Sequence, residues 1–187
     1  MEKTENFFKE KFKGQVLQDI KFYNTKPEFL ALDEEKKWVM QGGVEFIFGE
    51  YMISLGWNSE MHLYEMIEGD LDQLLGEMDV YDIELDLNED FEALKGLKIE
   101  DISFNWSWYQ KMDDEMELTD EKIYIPQEIK IVFENNTLLQ VATILFHLRN
   151  NHVTRAVFDP QGNLMIALNE PLEISEDLEE SEDEEEI

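Results

Sequence analysis

Short apolar runs with a two-residue period, separated by turn residues, recur along most of this chain. Alternate residues of a strand face opposite sides, so such runs are typical of half-buried strands. Gly49-Glu50 and the segment 159–163 (Asp-Pro-Gln-Gly-Asn) each join two runs, and we expect two hairpins there. The sequence therefore predicts an α+β fold: a mostly antiparallel sheet with a few helices on one face. The predicted strands cover residues 16–22, 44–48, 52–57, 81–87, 99–108, 123–133, 137–142, 154–158 and 164–168.

Three helices are predicted from a 3.6-residue period and from residues typical of helix ends. The clearest covers 60–77, where Ser59 is the expected N-cap and acids occupy the side opposite the apolar residues. We expect one face of this helix to be buried through Tyr64, Ile67, Leu71 and Leu75. The run that starts at Thr137 also fits helical spacing, so the sequence does not fix where that predicted strand ends. The other predicted helices cover residues 4–13 and 88–95.

Two segments of the chain resemble each other at an offset of 82 residues. Residues 13–22 and 95–104 share Lys, Gly, Asp, Ile and Phe, and 45–48 resembles 130–133 at an offset of 85. Duplication explains the match, and chance similarity between two helix–Gly–strand junctions is the alternative that the sequence leaves open. The duplicated halves would be residues 1–90 and 91–172, and the superposing segments 13–57 and 95–142.

Acidic residues dominate the composition, with 45 Asp and Glu against 15 Lys and Arg and a net charge of −30. This charge repels phosphate backbones and anionic lipid surfaces, which argues against nucleic-acid and membrane partners. It favours a basic protein partner and fast, salt-sensitive association, although acidity for solubility alone is the alternative. Between Lys37 and Lys95 the chain carries fifteen acids and no Lys or Arg. We therefore expect one side of the folded body to be much more negative than the other.

The chain divides by composition into a body and a tail. Residues 173–187 hold ten acids and no base, which predicts a disordered acidic tail behind a single domain over 1–172. A body of this size buries enough apolar surface to fold without disulfide bonds, and the chain has no cysteine. The sequence shows no signal peptide and no apolar run near the roughly 20 residues of a membrane helix, so we expect a cytoplasmic protein.

Motifs of catalysis and cofactor binding do not occur in this sequence. The three histidines form no HExxH pair, and no nucleophile elbow, Walker loop or GxGxxG is present. Asp86, Asn88 and Asp90 have the spacing of a calcium loop, but Phe91 stands where that loop requires Gly. With so many acids, a carboxylate pair for acid–base chemistry is uninformative. We expect a protein that is not an enzyme and that holds no metal and no cofactor.

The predicted partner-binding residues are one tryptophan and three acids. Asp82, Glu84 and Asp86 alternate with apolar residues, so they project from one face of a strand. Three aligned carboxylates repel each other, and a cationic partner relieves that repulsion. Trp57 ends a predicted strand beside Asn58, and Trp is enriched among interface anchors. Core packing is the alternative role for each tryptophan.

In size, acidity, lack of cysteine and β-rich pattern, the chain resembles the small acidic immunity proteins that bacteria use against their own toxins. The resemblance implies a non-enzymatic inhibitor whose acidic surface occupies the basic cleft of a toxin, and it transfers no residue. Two other classes stay open: a structural or scaffold domain, and a carboxylate-based enzyme or small-ligand binder. The sequence assigns no oligomeric state.

Overall fold

Strands make up most of the structure, a computed structural model that describes residues 2–25, 30–32, 36–79, 81–83, 89–112, 118–149 and 152–175. The helices are α1 (Glu2–Phe12), α2 (Asp72–Leu75) and α3 (Glu89–Glu92). The strands are β1 (Asp19–Asn24), β2 (Leu30–Leu32), β3 (Lys37–Met40), β4 (Gly42–Phe48), β5 (Tyr51–Asn58), β6 (Leu63–Glu68), β7 (Tyr81–Ile83), β8 (Ile99–Met112), β9 (Leu118–Phe133), β10 (Leu138–Arg149), β11 (His152–Phe158) and β12 (Asn163–Leu168). These strands pair antiparallel, which confirms the predicted mostly antiparallel sheet with few helices.

The strands form two sheets that face each other. The first has five strands in the order β6-β5-β4-β1-β7, and the second has seven, in the order β2-β3-β12-β10-β9-β8 with β11 paired to β10. Phe46 and Ile53 from the first sheet and Ile131 and Val141 from the second belong to one buried cluster. The core thus lies between two sheets, and not under a layer of helices as the sequence suggested. The reason is length, because α2 and α3 have four residues each and cannot cover a sheet face.

The N-terminal helix was predicted almost at its observed position. Phe8 and Phe12 lie one turn apart and are 5% and 0% exposed, so they present one apolar face to the core. The ring of Phe12 contacts those of Phe46 and Phe48 in the first sheet and Phe104 in the second. Because it touches both sheets, α1 helps to fix them to each other.

The predicted helix over 60–77 is wrong. Residues 63–68 form β6, which pairs with β5 along its whole length, and only Asp72–Leu75 is helical. Tyr64 is buried between the sheets, whereas Leu71 and Leu75 are buried on the outer face of the first sheet. Their spacing matched one helical face by coincidence, because an open edge of β5 gave residues 63–68 a strand partner. The turn before β6 is held by Asn58 Oδ1, which accepts from the amides of Glu60 and Met61, rather than by Ser59.

The predicted hairpin around residues 159–163 is also wrong. β11 and β12 both pair antiparallel with β10 and therefore run in the same direction as each other. Phe158 and Asn163 are both in register with Ile144, so the four residues between them leave the sheet and return to it. Pro and Gly gave the correct turn signal, but β10 was available as a partner to both strands and decided the pairing.

The directions of the backbone hydrogen bonds show on which side of β10 each strand lies, and so where residues 159–162 run. Thr137 O accepts from Phe133 N, and Thr143 O accepts from Asp159 N. In a strand, residues an even number of positions apart direct their main-chain oxygens to the same edge. Thr137 and Thr143 are six positions apart, so β11 lies on the side of β10 that β9 occupies. Leu138 O accepts from the residue after β12, which puts β12 on the opposite side. Residues 159–162 therefore cross over β10, and we call this segment the crossing.

The two segments that match at an offset of 82 bind each other. Lys13 Nζ lies 2.9 Å from Asp101 Oδ1, and Lys95 Nζ lies 2.9 Å from Asp19 Oδ1. The hydrogen bond from Lys13 lowers the pKa of Asp101, while hydrogen bonds to Glu92 and then Asp19 raise the pKa of Lys95. A lowered acid pKa and a raised base pKa both favour the charged forms, so both pairs are intact at neutral pH. The shared Lys and Asp thus have the same reciprocal role.

The backbone repeats this reciprocity. Gly14 N donates to Ile99 O, and Gly96 N donates to Leu17 O, so each glycine bonds the residue three positions beyond its counterpart. Both glycines have a positive φ, 82° and 84°, which a side chain would strain. The strand registers match as well. Corresponding cross-strand pairs are Ile20–Phe46 and Ile102–Ile131, Phe22–Val44 and Phe104–Ile129, and Val44–Leu55 and Ile129–Val141.

The predicted body ended at residue 172, and contacts continue to Ser175. Leu172 N donates to Gln140 Oε1, and Ser175 N donates to Ala156 O. Ile174 packs on an apolar cluster on the outer face of the second sheet. Residues 176–187 of the predicted tail lie outside the described residues.

One buried hydroxyl offers a stability test. Thr143 is 0% exposed, and its Oγ1 has no hydrogen-bond partner among the residues that the structure describes. Val has nearly the same shape without the polar atom, so we expect Thr143→Val to raise the free energy of unfolding by about 1 kcal/mol. Urea unfolding followed by tryptophan fluorescence measures this. Thr137→Val, at a half-buried position just before the strand, is the control and should change stability by less than about 0.5 kcal/mol. A loss of stability in Thr143→Val would contradict the expectation.

Candidate functional site

A cavity of about 250 Å³ lies beside Trp57, where the crossing meets the first sheet. Segments far apart in the chain surround it. They are the start of β4, the β5–β6 pair, Met78 just after α2, and the crossing. Its lining residues are Thr25, Gln41, Gly42, Trp57, Tyr64, Met78, Gln161 and Gly162. A concave site of this kind, with aromatic walls and a few polar groups, is the usual form of a binding pocket.

The aromatic wall is a cross-strand pair. Trp57 on β5 is in register with Tyr64 on β6, and their rings meet edge to face with centroids 5.6 Å apart. Trp57 is half-buried and packs against the Leu71 cluster, while Met78 belongs to the same cluster and lines the cavity. The tryptophan thus has a packed side and a side open to the cavity, the arrangement expected of an interface anchor.

Tyr64 supplies a neutral hydroxyl at the base of this wall. The side chain is 1% exposed, and its hydroxyl accepts from Gly42 N at 3.3 Å. Burial raises the pKa of Tyr64 to about 12. The phenol therefore keeps its proton and stays uncharged at physiological pH.

The remaining polar lining is uncharged. Gln41 and Gln161 carry side-chain carbonyl oxygens, which accept hydrogen bonds, and Thr25 carries a hydroxyl. Gln41 Nε2 donates to Asn163 Oδ1 at 3.3 Å, which ties this wall to the start of β12. Among the described residues, no Lys, Arg, Asp or Glu lines the cavity.

The crossing forms the wall opposite the first sheet. Tyr64 N donates to Pro160 O at 2.9 Å, so β6 bonds directly to the crossing. Asp159 fixes the turn, because its Oδ1 accepts from Gln161 N and its main-chain oxygen accepts from Gly162 N. The Pro-Gly segment that the sequence marked as a hairpin turn therefore builds half of a pocket.

Three exposed acids lie within three residues of Trp57 or Met78 in the chain, although none of them lines the cavity. Glu77 and Asp79, the chain neighbours of Met78, are both exposed, as is Glu60. Ser59, next to Glu60, lies close to Gly76 at the end of α2, so these acids belong to one region of the surface. No ion pair to Glu60, Glu77 or Asp79 occurs in the described part of the chain. We call these three residues the acidic rim.

Other acids of the stretch between Lys37 and Lys95 have structural roles. Glu45 is 4% exposed, and its carboxylate accepts from Tyr23 Oη and from Leu71 N, both at 2.8 Å. It fixes the start of the α2 segment to the outer face of the first sheet and adds nothing to an acidic surface. Three more acids are in ion pairs, as Glu68–Lys11, Asp90–Lys36 and Glu92–Lys95.

Of the predicted site residues, the structure describes Trp57 and the backbone of Asp82. Trp57 lines the cavity. Asp82 pairs through its backbone with Tyr23, and nothing is described of its side chain. Glu84 and Asp86 lie outside the described residues. Tyr81, expected on the inner face of that strand, is 48% exposed.

Sequence reasoning missed Tyr64, Met78 and Gln161 as site residues. Tyr64 was assigned to the predicted helix over 60–77, Met78 follows the same helical spacing one residue beyond it, and Gln161 was assigned to a hairpin turn. The position of Gln161 between Pro160 and Gly162 was the available signal, since a loop that carries polar side chains often carries function.

No group of three or more His, Asp or Glu side chains suited to hold a metal ion occurs within the described ranges. None of the described helices is long and apolar enough to span a bilayer. Comparison of the chain with family models, with curated proteins and with solved structures finds no match.

Proposed function

We propose that this protein is a non-enzymatic binding module for a basic protein, with the cavity beside Trp57 as its anchor site. The observation that carries the proposal is the position of Trp57, half-buried in a cavity, with the exposed acids Glu60, Glu77 and Asp79 within three residues of Trp57 or Met78 in the chain. Charge at the rim attracts a cationic surface, and an aromatic pocket holds one inserted side chain.

Long-range charge supports the same proposal. The whole chain has a net charge of −30, and the acidic rim belongs to the stretch between Lys37 and Lys95, which has no base. Such a field speeds the encounter with a positive partner, while a packed anchor sets the lifetime of the complex. Asp82, Glu84 and Asp86 lie in the same stretch, and we propose that they extend the acidic surface.

An immunity protein that blocks the basic cleft of a toxin is the specific form of this proposal. It rests on the resemblance in size, charge and strand content, and a toxin with a nucleic-acid substrate is the matching partner. The cytoplasm is the proposed compartment. The uncharged lining of the cavity does not favour a carboxylate-based enzyme at this site.

Matched variants test the binding surface against a partner captured from native lysate and then purified. We expect Trp57→Ala to raise Kd at least tenfold, mainly through faster dissociation. Trp108→Ala is the control, because Trp108 is accessible to solvent, at 49%, but lies under Lys122 on the second sheet. Surface plasmon resonance measures the Kd and the dissociation rate of both variants. Equal effects of the two substitutions would show that the cavity is not part of the interface.

The charge contribution has its own variants. Changing Asp82, Glu84 and Asp86 together to Asn, Gln and Asn should slow association and flatten its dependence on salt. The control removes the same charge from three exposed acids of the second half, by Glu100→Gln, Asp120→Asn and Glu170→Gln. If both triple variants associate equally fast at low salt, net charge alone matters and this strand is not part of the interface.

We further propose that the two halves arose by duplication. The reciprocal Lys–Asp pairs, the exchanged glycine bonds and the matched registers support this. The order β6-β5-β4-β1 then corresponds to β12-β10-β9-β8. Superposing the four-stranded units in an experimental structure tests it, and Gly14 should coincide with Gly96 and Leu55 with Val141.

A further inference from the structure

We infer that the cavity beside Trp57 receives an arginine side chain of the basic partner, with the guanidinium stacked on the indole. This inference rests on the proposed function and names what enters the pocket. It follows from the size of the cavity, the chemistry of its lining, and the charge around it.

The size of the cavity suits a single side chain. Its volume of about 250 Å³ lies below the range of roughly 300–1,000 Å³ typical of pockets for drug-sized ligands. The space is enough for one long side chain and small for a whole nucleotide or cofactor. An occupant that belongs to a protein surface is therefore favoured over a free small molecule.

The lining distinguishes arginine from lysine. No carboxylate lines the cavity, so a lysine ammonium would lose its strong hydration with no opposite charge beside it. A guanidinium is weakly hydrated, planar and suited to stacking on an aromatic ring, and it carries five N–H donors. Gln41 and Gln161 offer carbonyl acceptors from two walls, and Trp57 is the ring type that binds cations best.

The surrounding charge favours a cation over a neutral aromatic side chain. Glu60, Glu77 and Asp79 are exposed and close in the chain to the lining residues Trp57 and Met78, so they stay hydrated and attract positive charge without a desolvation cost. The chain already uses the same chemistry elsewhere, because Lys122 Nζ lies 3.6 Å from the ring centroid of Trp108.

Among the described residues, the second half has no aromatic side chain at the position equivalent to Trp57. Leu55 and Val141 hold matching registers, so Trp57 corresponds to Thr143 two residues further on. Thr143 is 0% exposed, so this position in the second half is filled core. The aromatic wall is thus specific to the first half, as expected of a feature that serves binding and not the shared architecture.

Three blocked pentapeptides test the inference with the full-length protein. Each has lysines at both ends, glycines next to them, and arginine, lysine or citrulline at the centre. Isothermal titration at low salt gives the affinities, and the Trp57 indole N–H signal in NMR spectra reports the site. We expect the arginine peptide to bind at least tenfold more tightly than the other two and to shift the Trp57 signal.

Variants tie the preference to the pocket. Trp57→Ala should abolish the preference for arginine, and Trp108→Ala should leave it unchanged. Trp57 also packs against Leu71, so Gln161→Ala, at an exposed side chain, is the second variant and should reduce the preference without affecting folding.

Three other results of the peptide titrations would contradict the arginine pocket or the proposed function. Equal, salt-sensitive binding of the arginine and lysine peptides, unaffected by Trp57→Ala, overturns the arginine pocket and leaves the acidic binding surface in place. Tighter binding of the citrulline peptide shows a pocket for neutral groups and also overturns the inference. Absence of binding by all three peptides at low salt counts against the proposed function itself.

Discussion

Replacing Phe12 by Ala is expected to lower the free energy of unfolding by about 3–5 kcal/mol, the usual loss for a fully buried phenylalanine. The side chain is 0% exposed, and its ring lies 5.3 and 5.4 Å from those of Phe46 and Phe48 and 6.4 Å from that of Phe104. The truncation would leave a cavity where α1 joins the two sheets. Urea unfolding followed by tryptophan fluorescence measures the loss.

The same helix provides the matched control. Phe7 is 43% exposed and contacts Phe8 and Lys11 at the surface. We expect Phe7→Ala to lower stability by less than about 1 kcal/mol, because little apolar area leaves water there. If the two variants lose the same stability, the helix does not pack against the core as the structure shows.

Gly162→Ala is expected to lower the free energy of unfolding by about 3 kcal/mol, at the upper end for forced overpacking. A Cβ on Gly162 would lie 2.1 Å from Ile144 O and 2.5 Å from Ile144 C, both backbone atoms of β10 that cannot move aside. The crossing would have to lift away from β10. Since Gly162 also lines the cavity, we expect weaker binding of the arginine peptide in the same variant.

Gly96→Ala is the control that distinguishes the steric clash at Gly162 from the backbone strain of a side chain at positive φ. Gly96 has a φ of 84°, but no atom lies within 4 Å of the position that its Cβ would take. The expected loss is about 1 kcal/mol, from backbone strain alone. Chemical unfolding of both variants tests the comparison, and a loss at Gly162 no larger than at Gly96 would show that the crossing does not rest on β10.

Several elements were predictable because their signals are local. The two residues Gly49-Glu50 join β4 and β5 as a hairpin, since the turn fixes the register of adjacent runs. The helix ending at Phe12 followed from the spacing of Phe8 and Phe12 and from the glycine at 14. Apolar alternation likewise located most of the strands.

The errors arose where a pattern had two solutions. Tyr64, Leu71 and Leu75 fit one helical face, yet they bury on opposite sides of a sheet because β5 offered hydrogen bonds to β6. The turn at Pro160 and Gly162 fits a hairpin as well as a crossing, and only the position of β10 selects between them. Local propensity is a weak determinant wherever a tertiary partner can replace it.

The sequence by itself indicated the antiparallel strands, the acidity, the repeated Lys-Gly-Asp motifs and Trp57 as a candidate anchor. These depend on residue type, period and spacing, which act within a few neighbours along the chain. Only the tertiary structure decided that Glu45 is buried, that the crossing passes over β10, and that Trp57, Tyr64 and Gln161 line one cavity. Residues about one hundred positions apart meet there because two sheets share one core, and no local pattern encodes that contact.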